Sequence, residues 1–415
     1  MIKDFINRYK LQFLLIVSVV GPGLISAFAD NDAGGVATYS VAASKFGYSI
    51  FTTLIPITLV LVIAQELGAR LAIVTGKGLG DLIRERYGIL VSLVVFGLLF
   101  FVNFGVILQD LSGLKSAFHL FGLPEVIFLP LAIIFLFFII TKSSYSRIER
   151  FFLFLIIFYL TYLFSAFLAK PDWSLAFRSL FTPGRPLSFD YLFTSVAVLG
   201  TTVTLWGQFF INSYIKDKKI MIENLKYEQI EIYLGSFLTN IFSLFIMVAV
   251  AATIFQNKIR IEGAAEAALA LRPFAGQLAS LFFGLGLLIA GLLGCAIVPL
   301  ATAYAYSEIF GFEGSLDTDF KRSKLFYNFF LIQIIIGLFI VLLPEISLFK
   351  ITLYADFLNG LMLPVIFYFL YQFANDEQLM GNYKNSKWQN VSLIAAAVII
   401  SLAALAGGIG NLLHL

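Results

Sequence analysis

Apolar runs long enough to cross a bilayer recur along the whole of this sequence, and that recurrence restricts its fold more than any other feature. About 20 predominantly apolar residues span the ~30 Å hydrocarbon core as a helix, and by that measure the chain has about eleven crossing segments. They lie near residues 12–44, 49–70, 89–118, 125–141, 151–169, 188–215, 229–254, 276–308, 324–343, 347–373 and 390–411. Inside lipid only helices and closed barrels satisfy their own backbone hydrogen bonds, and runs of this length are helical. Hydrophobic residues make up 60% of the chain and charged residues only 13%, with no soluble stretch between runs, so one all-α polytopic membrane domain, 1–415, is expected. The longest loops, near 170–187, 216–228 and 310–323, leave no room for a second domain.

The distribution of Lys and Arg sets an expected orientation. With the N-terminus inside, the inner connections hold Lys3, Arg8 and Lys10, then Arg70, Lys77, Arg84 and Arg86, Lys142, Arg147 and Arg150, Lys216, Lys218, Lys219 and Lys226, Lys321, Arg322 and Lys324, Lys384 and Lys387. The outer ones hold fewer, chiefly Lys45, Lys170, Arg178, Arg185, Lys258, Arg260, Arg272 and Lys350. This bias predicts a cytoplasmic N-terminus and, with an odd segment count, an extracellular C-terminus in the cell (plasma) membrane. The net charge of +3 is then a topology signal and not a nucleic-acid footprint. No cleavable signal is expected, because the basic N-terminus runs straight into an apolar segment containing Gly21-Pro22-Gly23. Cys295 reads as a small packing residue, and His119 and His414 form no metal cluster with it. The partner expected from these features is the lipid bilayer, with no nucleic acid and no resident cofactor, and a monomer is expected to suffice.

Two of the segments are interrupted by polar and small residues. The first carries Ala29-Asp30-Asn31-Asp32-Ala33-Gly34-Gly35, and the sixth carries Gly200-Thr201-Thr202-Val203-Thr204-Leu205-Trp206-Gly207-Gln208. A carboxylate at bilayer depth costs about 2.5 to 3.5 kcal/mol, so a pair there reads as a cation site. Breaks five segments apart point to two inverted five-helix repeats, 12–169 and 188–373, with the substrate site between the breaks and 390–411 as an added helix. Asp30 and Asp32 fall on nearly opposite faces of a helix but on one side of an extended chain, so joint binding needs an unwound backbone. Alternatively one of them faces the pathway while the other caps the half-helix that starts near Gly34. Thr204, Gln208 and Asn212 fall at i, i+4 and i+8, a stripe that either lines a path or bonds to a neighbouring helix. Trp206 reads as wall or gate.

Other buried polar positions add to this set. Asp356 stands one turn before Asn359 in the tenth segment, a further acid at membrane depth. Glu66 and Arg70, four apart, read as an intrahelical ion pair. Asp110 is open between an acidic vestibule position and a polar face towards another helix. With carboxylate, hydroxyl, amide and carbonyl donors and no Cys, Met or His at either break, the donor set favours a hard ion such as Mg²⁺, Ca²⁺ or Na⁺. The small residues Ala29, Ala33, Gly34, Gly35 and Gly207 are expected to leave room for a partly hydrated Mg²⁺.

Gly21-Pro22-Gly23 followed by Asp32-Ala33-Gly34-Gly35-Val36-Ala37-Thr38 resembles the first helix of the Nramp metal-ion transporters, whose motif is Asp-Pro-Gly-Asn. The resemblance continues through Ala69-Arg70-Leu71, Thr75-Gly76-Lys77, Glu149-Arg150, Gly200-Thr201-Thr202-Val203, Ala290-Gly291 and the tenth segment up to Pro364. It implies the leucine-transporter type of inverted repeat, with the Ala29 and Thr201 carbonyls and the Asp32 side chain around the ion. Where the family has a metal-binding Asn, this chain has Gly35; Thr204 replaces the family's Met, Trp206 its His, and Asp356 its Gln. That combination is similar to the Nramp-related magnesium transporters. Asp30, Thr204, Gln208 and Asp356 are then expected around the ion, directly or through water. The family's acidic pair for proton coupling corresponds to Val106 and Gln109, with Asp110 adjacent.

The function expected is therefore alternating-access transport of divalent metal ions, Mg²⁺ first and Mn²⁺ also, without proton coupling. A proton-coupled Mn²⁺/Fe²⁺ carrier and a sodium-coupled amino-acid symporter are the alternatives. No enzymatic activity is expected, although Gly78-Leu79-Gly80-Asp81 matches the Gly-x-Gly-Asp of intramembrane aspartyl proteases.

Overall fold

The computed structural model describes residues 21–182, 188–261, 263–343 and 348–412. Lys3, Arg8, Lys10, Arg185, His414 and the part of the first segment before residue 21 lie outside the described residues. Among those described there are helices and turns and no strand.

Among the described residues, ten continuous helical stretches are long and apolar enough to cross a membrane. The first of them, Ala33–Thr75, has 43 residues, and at 1.5 Å per residue it is about 65 Å long, twice a bilayer core. It divides at the 3₁₀ turn Gly47–Thr53, where Gly47 has φ 57°. The eleven expected segments are thus all represented. The first consists of α1 (Pro22–Ala29) and α2 (Ala33–Phe46). The next four are α3 (Leu54–Thr75), α4 (Leu79–Leu120), α5 (Glu125–Lys142), and the pair α6 (Tyr145–Ile157) and α7 (Leu160–Leu168).

After the short α8 (Trp173–Ser179), the sixth segment is again two half-helices, α9 (Phe189–Thr202) and α10 (Leu205–Lys218). Then come α11 (Leu225–Val250), α12 (Ala264–Ala275), α13 (Gln277–Phe310), α14 (Lys324–Leu342), α15 (Leu348–Ala374), α16 (Glu377–Met380) and α17 (Lys387–Leu412). Helices α8 and α12 were not expected. Both lie in connections, and α12 packs against α13, α2 and α4, so it covers one end of the bundle next to the first broken segment.

The helix ends follow local chemistry. Pro22 occupies the first turn of α1, where its missing N–H costs nothing, and Gly76 ends α3 in the left-handed region at φ 66°. Gly88 interrupts α4 at φ 76°, so residues 79–87 form a separate turn before the apolar run that the sequence places from 89 onward.

The half-helices pack crosswise: α1 on α10 and α2 on α9. Each break therefore faces the other at the same level, as antiparallel repeats require. Such contact in lipid rests on van der Waals packing of small residues, since tails and side chains are equally apolar. At Gly23 an added Cβ would lie 2.7 Å from Ile232 Cγ1 on α11, and at Gly291 it would lie 3.0 Å from Leu114 Cβ. At Gly200 it would sit 1.9 Å from the Asp356 carbonyl oxygen and 2.5 Å from the Gly360 nitrogen, backbone atoms that cannot yield.

Gly200→Ala is therefore expected to lower the melting temperature of the detergent-solubilised protein by an amount matching about 1–3 kcal/mol of overpacking. Gly97→Ala, where nothing lies within 4 Å of the added methyl, should be neutral or stabilising by up to ~1 kcal/mol. Equal melting temperatures for the two variants would refute the close α9–α15 approach.

Candidate functional site

Breaking a helix in the hydrocarbon layer exposes N–H and C=O groups that must find partners within the protein. At the first break, Asp30 ends α1 in helical geometry (φ −63°, ψ −18°) and Asp32 turns extended (φ −62°, ψ −177°) to cap α2. Asp32 Oδ1 accepts the Gly35 N–H at 2.8 Å, and Asp110 Oδ1, from α4, accepts the Ala33 N–H at 3.1 Å. The Ala29 carbonyl accepts the Asp32 N–H at 3.1 Å.

Between the two acids, Asn31 points to the scaffold. Its Nδ2 donates to the Thr239 carbonyl and hydroxyl, each at 2.8 Å, and Ser243 donates to its Oδ1 at 2.7 Å. The Tyr159 hydroxyl donates to the Asn31 carbonyl at 2.8 Å. The sequence reading passed over Asn31, although an amide between two membrane acids was a visible signal.

The second break mirrors the first. Thr204 is extended and caps α10: its Oγ1 accepts the Gly207 N–H at 2.9 Å, while the hydroxyl donates to Asp30 Oδ1, also at 2.9 Å. Asn359 Oδ1, from α15, accepts the Leu205 N–H at 3.1 Å. Asp30 Oδ2 accepts from Gln65 Nε2 at 3.3 Å. Gln65 was likewise passed over, though it is an uncharged polar residue inside the second apolar run. Thr202 Oγ1 and Tyr39 OH share a hydrogen bond of 2.7 Å, which ties α9 to α2.

Asp356 enters from α15. The Thr38 hydroxyl donates to its Oδ2, and Gln109 Nε2 donates to its Oδ1 at 3.3 Å. Asp32 lies within electrostatic range of Asp30, Asp110 and Asp356. All four acids are at most 2% exposed. The partners just described are hydroxyl, amide and backbone N–H groups, so the negative charge of the group is left for a cation to offset. Among the described residues, no three His, Cys, Asp or Glu side chains are placed to hold a metal by themselves. Carbonyls, hydroxyls, amides or water would have to complete any shell.

Several expectations change. Thr204, Gln208 and Asn212 do not form one pathway stripe: Thr204 is the cap outside the helix, and Asn212 Nδ2 donates to the Gly68 carbonyl at 2.8 Å, a helix-to-helix bond. Gln208 is buried beside Gly68, and neither end of its amide has a hydrogen-bond partner. Asn359 and Asp110 are caps, each on a half-helix other than its own, because orphan N–H groups lie nearest to them. Gly35 lies close against both breaks: a Cβ there would meet the Asp30 carbonyl at 2.8 Å and Thr201 Oγ1 at 3.2 Å. Its function is close approach of the two breaks, and the same holds for Gly207 against Thr204 and Asp30. Trp206 is fully buried, edge-to-face with Phe210, and its Nε1 has no hydrogen-bond partner. Cys295, at neither break in the sequence, comes within electrostatic range of Asp110 and Asp32 from α13.

Glu66 and Arg70 form the expected ion pair at 2.9 Å, and Arg70 also donates to Asn385 Oδ1 at 2.7 Å, which fastens the connection before α17 to α3. Asp81 accepts the Gly78 N–H at 3.0 Å and pairs with Lys216 at 2.6 Å, so it is a cap and ion-pair partner and not half of a protease dyad.

The family model described as natural resistance-associated macrophage protein-like (Nramp) matches residues 23–409. The divalent metal cation transporter MntH of Bacillus subtilis is 25% identical over 422 residues, covering 97% of this chain and 94% of that protein. A natural resistance-associated macrophage protein 2 homolog of Dictyostelium discoideum is 24% identical, covering 95% of this chain and 63% of that protein. Among solved structures, the manganese transporter of Eremococcus coleocola superposes with a TM-score of 0.73 at 18% identity, covering 95% and 86% of the two chains. The nucleobase-cation-symport-1 family transporter Mhp1 gives 0.56 at 15% identity over 95% and 91%, which places the leucine-transporter-type architecture beyond the family as well. From Gly23 to Ile409 the chain belongs to the Nramp family.

Proposed function

We propose that this chain carries divalent metal cations across the membrane by alternating access, with Mg²⁺ as the preferred cargo and Mn²⁺ also accepted, and without a coupled proton. The observation that carries this reading is the meeting of Asp30, Asp32, Asp110 and Asp356 where two broken helices cross, surrounded by hydroxyl and amide groups. The Asp32 side chain with the Ala29 and Thr201 carbonyls would hold the ion, and Asp30, Thr204, Gln208 and Asp356 would bind it directly or through water. Hard oxygen donors suit Mg²⁺, which keeps part of its water. Gly35 and Thr201 let the two breaks approach, and Trp206 forms the wall next to them. The Bacillus subtilis relative named above is a divalent metal cation transporter, which supports the substrate class.

The absence of proton coupling rests on the third membrane segment. Val106 cannot titrate, and Gln109 is an amide bonded to Asp356. The adjacent Asp110 is engaged at the N-terminus of α2. Energetically no proton is needed, because two charges moving down 100 mV gain about 4.6 kcal/mol. The proton-coupled Mn²⁺/Fe²⁺ reading keeps one observation of its own, the thiol of Cys295 near Asp110 and Asp32. A sodium-coupled amino-acid symporter is disfavoured by the acids, which oppose a substrate carboxylate.

In proteoliposomes, Asp32→Ala is expected to reduce Mg²⁺ flux at least about tenfold, the loss of one charge-assisted contact of ~1.5–3 kcal/mol, and a pH gradient made by changing the external pH at fixed internal pH should leave wild-type flux unchanged. Undiminished flux in that variant would remove the site from the pathway. Cys295→Ser should leave the competition between Mn²⁺ and Mg²⁺ as it is; selective loss of Mn²⁺ uptake would instead place sulfur in the ion's shell and favour the softer-metal reading.

A further inference from the structure

A second group of buried acids lies away from the breaks, at the end of the bundle that the Lys and Arg bias assigns to the cytoplasm. Glu228 and Glu231 stand three apart on α11 and so share one face. They are 0% and 3% exposed. Glu231 Oε1 accepts the N–H groups of Gly21 and Leu24, the latter at 2.9 Å, and thereby caps α1, which carries Asp30 at its other end. Among the described residues, Glu231 Oε2 and both oxygens of Glu228 are buried without a hydrogen-bond partner. The two carboxyl groups face each other.

Two ionised carboxylates so placed would repel each other and leave three oxygens without donors, an arrangement that burial makes costly. The surrounding groups do not resolve it. From α10, Lys218 pairs with Glu149 Oε1 at 2.8 Å and lies within electrostatic range of both Glu228 and Glu231, supplying charge but no hydrogen bond to the three unpaired oxygens, and Tyr214 lies within electrostatic range of Glu231. From α6, the Glu149 carboxylate lies against Gly21. From α3, Glu66 and Arg70 bind each other, and Gln229 donates to Glu66. A divalent ion is a poor occupant, since Lys218 is close and no third acid joins the pair at metal-binding distance among the described residues.

We propose that Glu228 and Glu231 form a proton-binding site, in which one proton on the Glu228 carboxyl is donated to Glu231 Oε2 and the pair holds α1 in place. One proton turns an unsatisfied acceptor into a donor and removes the repulsion in a single step. Helix α1 is seated so closely on α11 that a Cβ at Gly235 would lie 3.2 Å from the Gly23 carbonyl oxygen. It leaves α11 only by surrendering the Glu231 cap. Loss of the proton leaves two adjacent anions that gain by separating into water, which loosens the cap and frees the half-helix below Asp30. Raising the pH on that side therefore favours release of α1. The proton site stands on geometry alone; its link to flux rests on the transport reading.

Amide hydrogen exchange of residues 21–29 in the full-length protein, corrected for intrinsic rates, tests this across about pH 5.5 to 8.5. Protection of these residues should fall on the order of tenfold from the acid to the alkaline end. In Glu228→Gln, whose amide keeps a donor towards Glu231, protection should stay high throughout. Protection independent of pH in the wild type overturns the proposal even where the variant does not fold, and a wild-type pH profile in Glu228→Gln also overturns it. In liposomes, Mg²⁺ flux should rise with internal pH and lose that dependence in Glu228→Gln. The expected exchange profile without any Mg²⁺ flux would uphold the proton site and overturn the transport reading.

Discussion

A helix interrupted inside a membrane leaves N–H groups pointing into a medium that cannot bond them, and the centre of this protein is organised around that constraint. Asp32 and Asp110 satisfy the first turn of α2, Thr204 and Asn359 that of α10, and Glu231 that of α1. Apart from Glu231, at the far end of α1, the oxygens that cap the half-helices are thereby gathered where the breaks cross. Positive helix N-termini stabilise the acids before any ion arrives. Capping and ion attraction are one arrangement, and the hydrogen bond from Thr204 to Asp30 joins its halves.

The glycines serve the same end. Gly35, Gly200 and Gly207 are positions where an added methyl would meet a backbone atom or a polar atom of the opposite break. Close approach replaces the empty space that small side chains suggest in a sequence. The oxygens at the crossing are accordingly crowded and joined to one another by hydrogen bonds, Thr204 to Asp30 and Thr38 to Asp356.

Much of this was legible in the amino-acid order. Acids at bilayer depth marked the first break, and a matching cluster of Thr and Gly marked the second; the apolar runs gave the segments to within a few residues. What the sequence hid was direction. Helical spacing put Gln208 and Asn212 on one stripe with Thr204, but Thr204 lies outside α10 as its cap, so the period does not run through it. Asp110 stayed open between an acidic vestibule position and a polar face towards another helix, and the capping by Asn359 went unread, because nothing in a linear sequence shows whose N–H a side chain will meet. Gln65 and Asn31 went unnoticed beside the acids, being uncharged. Helix α12 was missed because it is short and lies between two crossing runs, where apolar periodicity is weakest as a guide.

Asn31 separates two properties that are usually entangled in a binding site. Its four hydrogen bonds to Thr239, Ser243 and Tyr159 fix where the first break sits, and none of them involves the acids on either side. Placement is thus written in one residue and chemistry in its neighbours. A lineage could exchange the side chains at positions 30 and 32, and with them the kind of ion attracted, while the backbone that presents them stayed anchored to the same helix. Change of cargo in such a fold would then be a matter of few steps, each leaving the scaffold intact.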